Sequence, residues 1–414
     1  MNRLTNLQHQ LSLNEASAVE KITAKHPDDV VIVDAHRTAI TKARKGKFRN
    51  TTTSEILAGL LRAQLEKTGI DPAKIDSLVV GNVLNRGSGV NEHRAAQLVA
   101  GIPYSTPFMA VNRQCSSGLM AVNQIYNEIK TGQIDTGIGA GVESMSLAPP
   151  DAMLEGFPER YFADSKARSC LIPMGITSEN VAKEFGVSRE DQDAFAAQSV
   201  QKAARAQEEG LFKDEILPVK GIVVDKDGNE TEVIVTDDEG IRKGTTAEGL
   251  AKLRPAFEKG GSTTAGNSSQ VSDGAGSVIL ARRSVAEKNG WPIVGKFVHC
   301  RTVGVPPEVM GIGPAFAIPA VLKDLGLTVD DIDIYEINEA FASQAVYSVL
   351  KAGIDVNKVN PKGGAIALGH PLGATGARQV STLLTELHRT GKKVGVTSMC
   401  IGTGMGAASV IIAE

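Results

Sequence analysis

The sequence is poor in several residue types and patterns that would each point to a particular class of protein. Only four of its 414 residues are cysteine, namely Cys115, Cys170, Cys300 and Cys400. They form no CxxC pair and no cysteine–histidine cluster with zinc spacing, so we expect neither a disulfide framework nor a bound metal. This pattern favours a reducing compartment.

Long apolar runs and a strong charge of one sign are lacking as well. No apolar stretch approaches the roughly 18 residues that span a bilayer. The formal net charge of −3 gives no electrostatic reason to expect nucleic acid or an anionic membrane as a partner. Aromatic residues make up 4% of the chain, whereas glycine reaches 43 residues. Together with a length that predicts two or three domains, this balance is typical of α/β layers joined by short turns.

The first 28 residues are polar and contain a short motif. Arg3-Leu4, five further residues and Gln10-Leu11 resemble the type-2 peroxisomal targeting signal. Leu4, Leu7 and Leu11 would share one helical face that an import receptor could bind. The alternative is a disordered tail with a chance match. We expect a targeting extension over residues 1–28, and therefore a protein of the peroxisomal matrix.

A weak internal repeat indicates that the rest of the chain contains two related halves. Residues 69–76 match residues 326–333 in spacing, each after a helical pattern and before an apolar run. Asp76 lies 39 residues before Cys115, and Asp333 lies 37 residues before His370. Each half would then contribute one reactive turn, although one such match can arise by chance.

The pattern between the repeats differs from both. Prolines, a long helical pattern and a charged stretch predict a separate lobe over residues 147–271. We therefore expect an N-terminal half of residues 29–146 plus 272–292, and a C-terminal half of residues 293–414. Apolar runs alternate with helical patterns in both halves, which predicts an α/β fold.

Cys115 is the first candidate for chemistry. It follows Phe108-Met109-Ala110-Val111, which predicts a buried strand, and precedes a helix that would begin near Ser116. A thiol at a helix N-terminus has a lowered pKa and is available as a nucleophile, as in the strand-to-helix turn of other acyl-transfer enzymes. The alternative is a small buried cysteine, but its neighbours Gln, Ser, Ser and Gly are unusual for plain core packing.

Three further residues lie in turns without a local pattern that decides their role. His370 precedes Pro371, and Cys400 lies in a glycine-rich connection between two strand-like runs. Gly402-x-Gly404-x-Gly406 is not a dinucleotide site, because a strand follows it and not a helix. Asn338 follows an apolar run, where it could be a helix N-cap or could orient a water toward a developing oxyanion.

Four motifs together resemble the thiolase family: NRQCSSG around Cys115, NEAF from Asn338, GHPLGATGAR from Gly369 and CIGTGMG from Cys400. They occur in the family's order, and the resemblance covers residues 30–414. It implies two βαβαβαββ halves in five α/β/α/β/α layers with an inserted loop domain, normally assembled as a dimer or a dimer of dimers.

The resemblance also implies roles for individual residues. Cys115 would be the acyl-accepting nucleophile, His370 its base, and Cys400 the acid that protonates the departing acetyl-CoA carbanion. Asn338 would hold a water that stabilises the enolate, and the N–H groups of Cys115 and Gly402 would bind the tetrahedral oxyanion. The implied reaction is thiolysis of 3-ketoacyl-CoA, the last step of fatty-acid β-oxidation, through an acyl-cysteine intermediate.

Coenzyme A would then be a substrate and not a permanently bound cofactor. By resemblance, its contacts and those of the acyl chain would be Arg242, Phe257, Ala265, Ser269, Met174 and Phe341. Short-chain family members commonly carry histidine before the Met-Gly pair, where this chain has Pro173. That departure favours a degradative enzyme of broader chain length.

Rival functions remain within the same fold. An acetoacetyl-CoA thiolase acting in the condensing direction would use the same residues. Ketosynthases of the superfamily lack the second cysteine, so Cys400 argues against them. A non-enzymatic acyl-CoA or lipid carrier could lose reactive residues, whereas this chain keeps Cys115, Asn338, His370 and Cys400.

Overall fold

The computed structural model of the chain describes residues 16–148 and 158–414. The proposed targeting residues Arg3, Leu4, Gln10 and Leu11 lie outside the described residues.

The described residues form alternating helices and strands. The helices are α1 (Ala18–Thr23), α2 (Thr53–Thr68), α3 (Val90–Val99), α4 (Ser117–Lys130), α5 (Ser165–Ser169), α6 (Met174–Phe185), α7 (Arg189–Glu208), α8 (Ala247–Ala251), α9 (Arg283–Asn289), α10 (Gly313–Leu325), α11 (Ala342–Ala352), α12 (Ala365–Leu368) and α13 (Thr375–Thr390). The strands are β1 (Val30–Arg37), β2 (Thr41–Lys42), β3 (Ser77–Gly81), β4 (Phe108–Val111), β5 (Thr136–Ser144), β6 (Val219–Val224), β7 (Glu230–Val235), β8 (Ser272–Arg282), β9 (Gly295–Gly304), β10 (Ile334–Ile337), β11 (Val394–Ile401) and β12 (Met405–Ala413).

Two half-sheets of the same topology meet at one seam. The N-terminal half has the order β4-β3-β5-β8-β1, and the C-terminal half has the order β10-β11-β12-β9. In both, one parallel pair (β3 with β5, β10 with β11) is followed by two antiparallel pairs. Short pairing between β1 and β9 joins the halves.

Helices cover both faces of each half-sheet, which gives five layers. The apolar face of α2 packs on one side of the N-terminal sheet through residues such as Ile56 and Leu60. In the middle layer, α4 and α13 share one core with both sheets. On the far side, α10 packs against the C-terminal sheet through Ile318 and Val321. Both reactive turns precede the two central helices.

The internal repeat is confirmed by matching hydrogen bonds. Helix α2 ends at Gly69 with φ of 65°, and α10 ends at Gly326 with φ of 70°, a conformation that glycine adopts at low cost. An Asp76 carboxylate oxygen accepts from the N–H groups of residues 135 and 136, both at 3.0 Å. An Asp333 oxygen accepts from those of residues 393 and 394 at 3.0 and 2.9 Å.

The prediction of a buried strand over Phe108–Val111 is wrong in its burial. The strand exists as β4, but it lies at the edge of the sheet, and Met109 is 37% exposed. Four apolar residues in a row do not distinguish a buried strand from an apolar edge.

The lobe emerges between β5 and β8, which pair directly with each other. It contains α5–α8 and the β6–β7 hairpin. Buried charges attach it to the core: Arg37 of β1 binds Glu215 at 2.7 Å and Asp238 at 2.7 Å, and Lys362 also binds Glu215. Burial opposes the ionisation of Glu215, but Lys362 and Arg37 outweigh it and hold its pKa at about 2.

Residues before Val30 also take part in the fold. Ser17 caps α1 in a capping box with Glu20, and Ile22 of α1 packs into the core beneath α10. The Lys296 ammonium donates to the carbonyl of Ala24 at 2.7 Å. Part of the N-terminal extension is thus bound to the C-terminal half.

Candidate active site

Cys115 lies in a tight turn between β4 and α4, with Ser116 as the helix N-cap. Gln114 adopts φ of 49°, a left-handed conformation that costs a non-glycine residue energy. The turn therefore holds the thiol at the start of α4. The lowered pKa expected for Cys115 is wrong: burial raises it to about 11, although the N–H groups of Gly402 and Cys115 itself lower it. At rest the group is a neutral thiol, so it needs a base to become a nucleophile.

His370, the predicted base, has an imidazole whose orientation is fixed by its neighbours. Its Nδ1 lies 2.6 Å from Oγ1 of Thr375, which itself donates to the carbonyl of Pro371 at 3.2 Å. This chain of bonds assigns the ring proton to Nδ1 and leaves the Nε2 lone pair facing the Nδ2 group of Asn338, 3.4 Å away. Burial, assisted by Arg378, lowers the pKa of His370 to about 3, so the imidazole is neutral at rest.

Asn338 is held by its backbone and presents its amide to the site. Its N–H donates to the carbonyl of Ser398 at 2.8 Å, and its carbonyl accepts from Gln344 at 2.9 Å. Helix α11 begins at Ala342 with Phe341 as N-cap, so the N-cap interpretation of Asn338 is wrong. Within residues 16–148 and 158–414, the buried Oδ1 atom of Asn338 finds no hydrogen-bond partner. An orphaned buried acceptor fits a site that binds a water or substrate group.

Cys400 lies at the end of β11 and is completely buried. Burial raises the pKa of its thiol, and a charge on Cys115 raises it further. Around it, Met310, Ala340 and Phe341 form a small apolar cluster to which Met174 adds. Such surroundings keep the thiol protonated, as an acid requires.

A cleft of about 260 Å³ borders these turns. Gln114, Gly402 and Thr403 line one side, and residues 170–174 of the lobe line the other. Met174 thus lies both in the cleft wall and beside the cluster around Cys400. The cleft has the size of a short acyl chain and a predominantly apolar lining, which suits a hydrocarbon ligand.

Most of the predicted coenzyme A contacts gather near this cleft. Phe257 is 44% exposed and meets Phe341 edge-on, with ring centroids 6.2 Å apart. Its ring lies where a Cβ on Gly175 would come within 2.2 Å, so only glycine fits there. The N–H of Ser269 donates to the carbonyl of Ala340 at 2.9 Å, and Ala265 is exposed on the same segment.

Arg242 is the exception among these residues. Its side chain is exposed, and its carbonyl accepts from the hydroxyl of Thr245 at 2.7 Å. Among the residues that the structure describes, Arg242 makes no hydrogen bond or ion pair to the reactive turns. A contact to a distant part of a long ligand remains a prediction.

Two buried glutamates near the site were not predicted from the sequence. Glu339 accepts from Ser199 at 2.6 Å, from Asn360 at 2.7 Å and from the N–H of Ile366 at 3.2 Å, and so fixes the loop before His370. Glu143 lies in β5, where burial raises its pKa to about 7. A carboxylate within a strand of otherwise small and apolar residues is a signal that could have identified Glu143.

Neither a metal centre nor a membrane span is found in residues 16–148 and 158–414. No group of three His, Cys, Asp or Glu side chains there could hold a metal ion. No helix in these ranges is both long and apolar enough to cross a membrane.

Comparisons with known proteins agree with the motifs. The family model of the thiolase N-terminal domain matches residues 30–284, and that of the thiolase C-terminal domain matches residues 291–413. The peroxisomal 3-ketoacyl-CoA thiolase of Yarrowia lipolytica is 63% identical over all of both chains.

Solved structures agree in fold as well. The dimeric peroxisomal thiolase of Saccharomyces cerevisiae is 55% identical with a TM-score of 0.88, covering 95% of this chain and 100% of that one. A second Saccharomyces cerevisiae structure, a peroxisomal 3-ketoacyl-CoA thiolase described as five α-β-α-β-α layers built from two core domains of identical topology, is 50% identical with a TM-score of 0.78 and the same coverage. The five layers and the repeated topology expected from the sequence are thereby confirmed, and the chain belongs to the thiolase family.

Proposed function

We propose that this protein is a peroxisomal 3-ketoacyl-CoA thiolase that cleaves 3-ketoacyl-CoA with free coenzyme A in fatty-acid β-oxidation. The observation that carries the proposal is the meeting of both halves at one site, where the N–H of Gly402 reaches the Cys115 thiol and the Nδ2 group of Asn338 lies 3.4 Å from Nε2 of His370. Carbon–carbon cleavage needs a covalent acyl acceptor, an electron sink and a proton donor. These roles fall to Cys115, to His370 with Asn338, and to Cys400.

In the first half-reaction, His370 Nε2 takes the proton of Cys115 and the thiolate attacks the 3-keto carbon. The resulting oxyanion accepts hydrogen bonds from the N–H groups of Cys115 and Gly402. When the bond between the second and third carbons breaks, its electron pair passes to the acetyl-CoA enolate, which His370 and a water on Asn338 stabilise. Cys400 gives its proton to the carbanion, and acetyl-CoA leaves.

The second half-reaction returns the enzyme to its starting state. The Cys400 thiolate takes the proton of an incoming coenzyme A thiol, and the new thiolate attacks the acyl group on Cys115. The Cys115–acyl bond breaks, its sulfur recovers a proton from His370, and the shortened acyl-CoA leaves. All protons and electron pairs balance, so coenzyme A is consumed as a substrate and no further cofactor is required.

Substrate binding would divide between the cleft and the lobe. The acyl chain would occupy the cleft beside Met174 and Phe341. The pantetheine arm would pass Ala265 and Ser269, and Phe257 would offer an exposed aromatic face to the adenine. Arg242 would contact a phosphate group of coenzyme A.

The proposal also covers the oligomeric state of the protein and its import into the peroxisome. In the part of the chain that the structure describes, β4 is an edge strand, and the side chains of Met109 and Tyr104 beside it are exposed. Such an edge is a template for pairing with a second copy. We therefore propose a homodimer through β4, and a Met109→Lys variant that still elutes as a dimer would contradict it. An import receptor would bind the signal formed by Arg3-Leu4 and Gln10-Leu11, so an Arg3→Ala variant should remain in the cytosol.

The decisive test separates the roles of the two cysteines. Cys115→Ala should form no acyl-enzyme from any acyl-CoA. Cys400→Ala should still acylate Cys115 from a simple acyl-CoA but should not cleave 3-ketoacyl-CoA. Acyl-enzyme is measured by mass spectrometry of the intact protein, and cleavage by release of acetyl-CoA. Full thiolysis by either variant would overturn the assignment.

A further inference from the structure

The base and the nucleophile of this site belong to different halves of the chain, so something must fix one against the other. We propose that Glu143 is a positioning residue that clamps the His370 loop onto the Cys115 turn. The proposal rests on the proposed function, in which His370 takes the proton of Cys115.

Glu143 accepts hydrogen bonds from both halves. Its Oε2 atom accepts from the N–H of Val83 at 3.1 Å and from the N–H of Gly373 at 2.9 Å. Its Oε1 atom accepts from the side chain of Asn82 at 3.0 Å and from the N–H of Leu84 at 3.2 Å. Gly373 lies three residues after His370, whereas the other donors follow β3 of the N-terminal half. One buried carboxylate thus ties the two together.

The backbone of the His370 loop also lies directly on the start of α4. A Cβ added to Gly118, three residues after Cys115, would come within 2.6 Å of the Gly373 carbonyl oxygen, and one added to Gly141 within 2.1 Å. A Cβ on Gly373 itself would lie 2.8 Å from the Cα of Asn82. At this contact the loop has no free space, so movement of Gly373 must move His370 relative to Cys115.

Electrostatics exclude the simplest alternative, that Glu143 activates the thiol by its charge. A negative charge on Glu143 raises the pKa of Cys115 and therefore disfavours the thiolate. Removing that charge alone would make Cys115 more reactive. Loss of the clamp would make it less reactive, because a base displaced by about 1 Å can cost up to about 100-fold in rate. The two roles predict effects of opposite sign.

The experiment measures the rate at which iodoacetamide alkylates Cys115 in the full-length protein at pH 7, with the site assigned by peptide mass spectrometry. Glu143→Gln keeps the size of the side chain but places an NH₂ group where an oxygen now accepts. We expect alkylation and kcat for thiolysis to fall by about 10- to 100-fold, while KM changes by less than about 3-fold. An unchanged or faster alkylation of the folded variant would overturn the proposal.

Two further variants keep the test interpretable. Gly373→Ala retains the carboxylate but separates the same surfaces, and it should slow alkylation as Glu143→Gln does. Asp76→Asn alters a carboxylate that binds backbone at the opposite end of β5, and it should leave alkylation unchanged. If His370→Ala alkylates as fast as the wild type, the proposed base is wrong. If His370→Ala is slow but both clamp variants are fast, the clamp alone is wrong.

Discussion

The two halves of this molecule share a sheet topology but differ in the segments that carry Cys115 and His370. Each half repeats a parallel pair, two antiparallel pairs, a glycine-ended helix and an aspartate that binds the next strand through two N–H groups. After β3 and β10, however, the halves diverge. The N-terminal half continues into β4, whereas the C-terminal half keeps only a single bridge between Tyr335 and Val359.

This difference accompanies the placement of Cys115 in one half and of His370, the base proposed for it, in the other. In the N-terminal half, β4 leads within a few residues to α4, and the short turn fixes Cys115 at the helix start. In the C-terminal half, a longer segment between Val359 and α13 reaches across to Glu143 and carries His370. The two corresponding segments therefore differ in length, and the one from the C-terminal half reaches the N-terminal half at Glu143.

The largest expected effect tests whether the halves act as one unit. Cys115→Ala and His370→Ala should each lower kcat/KM for thiolysis by at least about 10⁴-fold, because the thiol and its base form one activated nucleophile. The double variant should be no slower than the slower single variant. Steady-state kinetics with one 3-ketoacyl-CoA suffice. Effects that multiply would mean that the two turns contribute independently, and the division of chemistry between the halves would fail.

A second test breaks the junction between the halves and the lobe. Glu215 binds Arg37 of the N-terminal half, and it binds Lys362 and Thr385 of the C-terminal half. Removing one member of a buried ion network leaves unpaired charge, so Glu215→Ala should lower the free energy of unfolding by about 3–5 kcal/mol. Urea unfolding followed by circular dichroism measures this loss.

The lobe offers a matched control for that variant. Glu232 pairs with Lys220 on the surface, where both side chains are 68% exposed, and Glu232→Ala should cost less than about 1 kcal/mol. Equal losses in the two variants would show that the buried network does not join the halves.

A third test uses pH, because burial lowers the pKa of a histidine in each half. Burial lowers the pKa of His93 to about 4 and that of His370 to about 3. Unfolded histidine titrates near 6.5, so both groups add stability above that pH, and the stability is lost as the pH falls toward their folded pKa values. Each should contribute a loss of roughly 2 kcal/mol between pH 6.5 and pH 5.

The matched variants separate stability from chemistry. His93→Gln and His370→Gln should each reduce the loss of unfolding free energy between pH 6.5 and pH 5 by the amount that the replaced histidine contributes. Urea unfolding at the two pH values measures this loss. Only His370→Gln should abolish thiolysis. A pH dependence that neither variant changes would mean that these histidines are not the groups that titrate.

The sequence indicates local structure well and contacts between the halves poorly. The sequence predicts a helix that begins near Ser116, and α4 begins at Ser117. The two agree because a capping turn and an apolar helical face are both local patterns. Glu143 and Gly373, which share a hydrogen bond, lie 230 residues apart in the sequence. Neither residue spacing nor secondary-structure propensity predicts a contact between two such distant segments. The prediction of Asn338 as an N-cap is wrong for a related reason. Backbone hydrogen bonds that join residues 267–269 to Ala340 and Ala342 hold this segment, and the helix begins only at Ala342.

The smallest expected effect tests the hydrogen bonds that Asp76 and Asp333 make at equivalent places in the two halves. Asp76→Ala and Asp333→Ala each remove an acceptor of two backbone N–H groups, so each should cost about 1–2 kcal/mol of unfolding free energy. Because the two sites lie in different halves, their losses should be equal within about 0.5 kcal/mol and additive in the double variant. Neither change should slow the alkylation of Cys115, since both aspartates bind the strand ends away from the reactive turns. Strongly unequal losses would mean that the equivalent hydrogen bonds do not stabilise the two halves equally. Slower alkylation would mean that these distant aspartates also affect the reactivity of Cys115.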